Sequence, residues 1–150
     1  MPLPHRFLTR RNLAALISGS IGAPPARAAQ ELTFAGLYGP VTADGVQLTP
    51  AARALVGRQV VLQGYMAPPL RAEASFFVLT RYATSNCPFC SNAADWPVDI
   101  VFVRLGRAAE ALVASYAIAV SGMLEAGMQV DPETGFVSLV RVVDATWRRV

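Results

Sequence analysis

Five short runs of apolar, β-branched and aromatic residues recur between Arg58 and Val143, and their order constrains the fold more than any other feature of the chain. Arg58 to Met66 alternates, with Val60, Leu62, Gly64 and Met66 on one face and Val61, Gln63 and Tyr65 on the other. A period of two residues is that of a strand with distinct faces. Phe76 to Tyr82, Val98 to Leu105, Tyr116 to Leu124 and Phe136 to Val143 read as four further strands. Asp131-Pro132-Glu133-Thr134-Gly135 is a turn, and Gly122 marks a bulge or a close backbone approach. Arg107 to Ser115 places Ala108, Ala109, Leu112 and Val113 on one side of a helix. Strand, strand, strand, helix, strand, strand is the order of an OB-fold, a five-stranded Greek-key barrel with a helix between strands three and four. The expected fold is all-β with one or two short helices, an OB-like barrel over residues 50–150. A small open β-sandwich of the same strands is the alternative. Thr49-Pro50 predicts a short helix, with Thr49 capping, Pro50 at the first position and Gly57 stopping it. Residues 29–49 hold Gly36, Gly39, Pro40 and Gly45, and predict an extended N-terminal arm rather than a strand of the main sheet.

Charge separates a leader from this domain. The 150-residue chain has a formal net charge of +3, and all 13 of its Lys+Arg residues are arginine. Arg6, Arg10, Arg11 and Arg27 lie in the first 28 residues, whereas every acidic residue lies beyond them. Residues 29–150 therefore hold nine arginines against ten acidic residues, a net charge of −1. That balance argues against nucleic acid as a partner. His5, the only histidine, belongs to the leader too. Its position removes Ser-His-Asp triads, Cys-His dyads and His-rich zinc sites from residues 29–150.

Residues 1–28 read as a cleavable export signal. Arg6, Arg10 and Arg11 form a positive region, Leu13 to Ala23 a short apolar core, and Ala26-Arg27-Ala28 supplies small residues around a cleavage site. A core of about 11 residues is too short to cross a ~30 Å hydrocarbon layer, and no transmembrane span is expected elsewhere. Thr9-Arg10-Arg11-Asn12-Leu13 resembles the twin-arginine motif, with an ordinary Sec signal as the alternative. Either route predicts a periplasmic or secreted protein.

One constellation carries chemistry. Residues 83–97 interrupt the barrel between its second and third strands and hold both cysteines, Cys87 and Cys90, at Cys-x-x-Cys spacing. Three readings stand. Two thiolates three residues apart converge on one soft ion, Cu(I) or Zn(II). Near-linear Cu(I) is satisfied by two sulfurs, whereas tetrahedral zinc needs further ligands, for which Asp95 and Asp99 are the candidates beside water, another chain or a backbone group. Met66, Met123 and Met128 could add thioethers, although methionine in an apolar strand is more often core filler. The second reading is a redox pair, because Cys-Pro-Phe-Cys looks like a thiol oxidoreductase motif. Trp96-Pro97 ends any helix after Cys90, and the βαβ pattern of thioredoxins is missing. The third is a structural disulfide in an oxidising compartment, an inefficient staple because its ring is small. A c-type haem is excluded, since Ser91 stands where its histidine is required.

The remaining features are blander. Asp95, Asp99, Glu125, Asp131 and Glu133 form no carboxylate dyad by spacing, and Arg71, Arg81 and Arg104 either bind an anion or solvate strand edges. Tyr65, Phe76, Phe77, Phe89 and Trp96 line one side of the barrel or its core.

Leu55 to Met66, Phe76-Phe77-Val78-Leu79, the Cys87/Cys90 loop and Val120-Ser121-Gly122-Met123-Leu124 together resemble a family of small exported proteins of unknown function. The resemblance covers roughly residues 50–145 and rests on loose, structural motifs. It implies an OB-like barrel, and some members are thought to accompany transporter components, metal-linked ones included. The leading expectation is a non-catalytic exported protein that binds a soft metal ion through Cys87 and Cys90 as a transporter accessory or metal carrier. A periplasmic thiol–disulfide oxidoreductase is the enzymatic alternative, and a binding module with a purely structural disulfide is the third.

Overall fold

A computed structural model of the chain describes residues 28–43, 45–68, 73–85, 99–110, 116–132 and 135–150. Residues 1–28, where an export signal is expected, lie outside them apart from Ala28. In chain order the elements are β1 (Gln30–Leu32), α1 (Phe34–Leu37), β2 (Tyr38–Thr42), β3 (Gly45–Leu48), α2 (Pro50–Ala54), β4 (Gln59–Met66), β5 (Glu73–Thr80), β6 (Ile100–Glu110), β7 (Ala117–Val130) and β8 (Val137–Arg149). The protein is mostly β, with two short helices, and no helix among the described residues is long and apolar enough to cross a membrane.

All five expected strands are present. β4 pairs antiparallel with β5 through Met66↔Leu79, and with β7 through Leu62↔Val120. β5 pairs antiparallel with β6, β6 runs parallel to β8, and β8 returns antiparallel along β7. The pairings therefore lead from β4 through β5, β6, β8 and β7 back to β4. Alternation decides what fills the interior. Val60, Leu62, Phe77, Leu79, Val101, Val103, Val120, Leu124 and Val142 form the buried core. The intervening Val78 and Phe102 join Ala67 and Phe136 in a second, smaller apolar cluster on the other face of β5 and β6.

Two expectations need correction. Residues 29–49 do contribute a strand to the main sheet, because β1 pairs parallel with β4 (Gln30↔Val60, Leu32↔Leu62). Leu32, Phe34 and Leu37 are all buried in the core, which anchors this segment despite its glycines. The following β2 and β3 form an antiparallel hairpin. Arg107 to Glu110 are not helical either. They extend β6, where Ala109 and Glu110 pair with Ala74 and Glu73 of β5, so the neighbouring strand overrides helical spacing in an alanine-rich stretch. Residues 111–115, the rest of that expected helix, lie outside the described residues.

Local signals held elsewhere. The Thr49 side chain accepts from the Ala52 N–H at 3.0 Å, Pro50 occupies the first turn of α2, and Gly57 follows with φ +77°. Gly122 lies where β8 bulges. Pairing steps from Ser121↔Thr146 to Met123↔Val143, so β8 contributes one residue too many, and Asp144 takes φ +48° to absorb it. A Cβ at Gly122 would stand 2.6 Å from the Val143 carbonyl oxygen and 2.7 Å from Val142 Cγ1, closer than atoms tolerate. The expected turn closes through Asp131 N–H to Phe136 O and Gly135 N–H to Asp131 O, both 2.8 Å.

Candidate functional site

The cysteine-bearing connection leaves β5 at Thr80 and re-enters at Ile100, and these two residues are register partners on adjacent strands. Both roots are held. Thr80 is buried, and its hydroxyl lies 3.2 Å from the Tyr65 carbonyl oxygen and 2.8 Å from that of Tyr82. At the other root the Tyr38 hydroxyl donates a short hydrogen bond to the Ile100 carbonyl oxygen. Burial, and secondarily the Asp99 carboxylate, push the Tyr38 hydroxyl well above the ordinary tyrosine value. Asp99 is half-buried beside this contact.

Of Cys87, Cys90, Asp95 and Asp99, Asp99 alone falls among the described residues. Cys87, Cys90 and Asp95 lie outside the described residues, as do Arg71, Phe89, Trp96 and Glu133. Among the described residues no three His, Cys, Asp or Glu side chains gather as a metal site. Met66 is in the core at 2% exposure, whereas Met128 is exposed on β7. Arg104 is no idle cation, because it pairs with Asp131 at 2.8 Å and lies over the Phe102 ring. Arg81 lies over the Tyr82 ring.

Two features escape a reading by linear motif. Phe76, Phe102 and Phe136 stack in succession, with ring centroids 5.3 and 5.5 Å apart. Phe102 gives a signal in the sequence, since alternation places it opposite Val101 and Val103. Phe136 gives none, as it reaches the stack from the β7–β8 turn. Beside the stack opens a cavity of about 460 Å³, walled by the β2–β3 hairpin and α2 on one side and by Ile100, Phe102, Phe136 and the first residues of β8 on the other. Arg141 shapes this region. It is buried, with Nε 3.2 Å from Glu125 Oε2, and it donates from Nη1 to the Gly127 carbonyl oxygen at 2.7 Å.

No protein-family model and no curated protein matches the sequence. Among solved structures the chain is similar to a DUF3299 family protein from Pseudomonas aeruginosa, with a TM-score of 0.58 and 16% sequence identity over 83% of this chain and 97% of that one. At that identity the likeness concerns the fold.

Proposed function

We propose that the chain is an exported, non-catalytic binding protein of OB type that holds a soft metal ion on Cys87 and Cys90 and presents it to a transporter or other membrane partner. The cycle of strand pairings, with its parallel β6–β8 step, supports the OB reading. The observation that carries the site is the anchoring of the connection between Thr80 and Ile100: both roots are hydrogen-bonded to the scaffold. Long connections on a rigid frame commonly bear function.

The donors favour one version of this reading. Two thiolates suffice for near-linear Cu(I), which asks nothing of the described residues. Tetrahedral Zn(II) would draw in addition on Asp95 and Asp99. Met66 offers no thioether, because its side chain is packed in the core.

The test is to export the full chain, recover it from the periplasm, and measure metal by elemental analysis and thiols by alkylation. The expected result is one equivalent of copper or zinc, lost in Cys87→Ser and in Cys90→Ser, on a chain whose N-terminus follows Ala28. A metal-free, oxidised pair overturns the proposal. A strongly oxidising potential would then assign a thiol–disulfide oxidoreductase, and a potential beyond cellular reductants a structural disulfide.

A further inference from the structure

The cavity beside the aromatic stack has its own chemistry. At about 460 Å³ it falls within the range of small-ligand sites. Its walls are largely apolar, with Val46 and Leu48 on the hairpin side and Phe136 and Leu139 on the barrel side. Leu139 remains 58% exposed there, an apolar side chain left against solvent.

The polar groups of the wall divide into engaged and available ones. Tyr38 is committed to the Ile100 carbonyl, and the Ser138 hydroxyl accepts from Arg141 Nη1 at 3.3 Å. Arg53 and Gln47 have no side-chain hydrogen bond or ion pair among the described residues. Arg53 is also the one charged side chain in the described wall. An occupant that satisfies this surface combines an apolar body with a single anionic end. The guanidinium fork matches the two oxygens of a carboxylate.

The geometry points to a binding site for a small apolar monocarboxylate, of which a free fatty acid of about ten carbons is the simplest case. The apolar chain lies against Leu48, Phe136 and Leu139, and the carboxylate meets Arg53. A cationic ligand is repelled by Arg53, and a neutral one leaves the guanidinium unused.

Calorimetric titration of the full chain with decanoate and with decanol, both below aggregation, tests this. Decanoate is expected to saturate one site at least tenfold more tightly than decanol. Arg53→Gln should erase that preference and leave decanol binding unchanged. Val46→Trp, which fills the cavity, should abolish both. Arg53 is exposed on a short helix, so its variant keeps the fold even if the tryptophan variant does not. Equal binding of the two ligands to the unaltered chain, or a preference that survives Arg53→Gln, overturns the proposal. Cys87→Ser should leave decanoate binding intact, so this site and the metal reading fail separately.

Discussion

The β7–β8 ladder has two halves built from the same alternation of apolar residues, yet they meet opposite fates. On the near side of the Glu125↔Arg141 pair, Val120, Leu124 and Val142 are each at 0% exposure. On the far side Met128, Val130, Val137 and Leu139 are 54–78% exposed, and only Val140, one step beyond the pair, stays in the core at 3%. In β8 part of the difference is the face, since Val137 and Leu139 alternate with the buried Val140 and Val142, and the rest lies in the neighbours. β4 runs beside β7 up to Gln59↔Met123, and β6 meets β8 from Phe102↔Arg141 onward, so the near half is flanked on both sides. Beyond those pairs the two strands register only with each other. Periodicity thus says which side chains share a face, while burial depends on what the rest of the chain lays over that face.

The sharpest way to break this contrast is to make one substitution in each half. Leu124→Ala should cost about 3 kcal/mol, the usual loss for truncating a fully buried leucine. Leu139→Ala should stay within about 0.5 kcal/mol, as exposed substitutions do. Urea unfolding of both variants decides it. Equal losses would mean that the far half is covered and that the cavity wall is part of the core.

The joint between the halves is the next target. Arg141 is buried where the flanking strands end, and it ties Glu125 to the Gly127 carbonyl across a register shift in β7. Arg141→Met keeps much of the packing and leaves that carbonyl without its donor, a loss of about 2 kcal/mol. Amide exchange at Val130 and Val137 should quicken more than at Val120. A uniform change along the ladder would show that the halves do not differ in local stability.

How much of this was legible from sequence follows the same division between local and distant causes. The five strands, the Thr49 cap, the Gly122 approach and the Asp131 turn depend on residues a few positions apart, and each was readable. β1 was hidden because three residues, Gln30–Leu32, acquire strand geometry from β4, about thirty positions away. The end of β6 was misread because Ala108 and Ala109 suit a helix as well as a strand, and β5 chose between them. At the candidate site Cys87, Cys90, Asp95 and Asp99 announce themselves by residue type. The cavity does not, since Val46, Arg53, Ile100 and Leu139 come from segments whose meeting no spacing records.

The smallest expected effect concerns the contact that seats the hairpin where β6 begins. Tyr38 ionises in the unfolded chain near its ordinary value of 10.0, and in the folded chain its value is raised, because burial and then Asp99 disfavour the phenolate. The folded state thus holds this proton more tightly than the unfolded one. Its contribution is fully present below the unfolded value and is lost as pH rises through 10 toward the folded value. Tyr38→Phe removes both the titration and the hydrogen bond to Ile100, for about 1 kcal/mol at neutral pH. Above pH 10 the variant should lose stability less steeply than the parent, which unfolding midpoints collected on either side of that value would show. Parallel pH profiles would mean that the hairpin is not pinned through this hydroxyl, and the far half of the ladder would then lack the fixed opposite wall that makes a cavity of it.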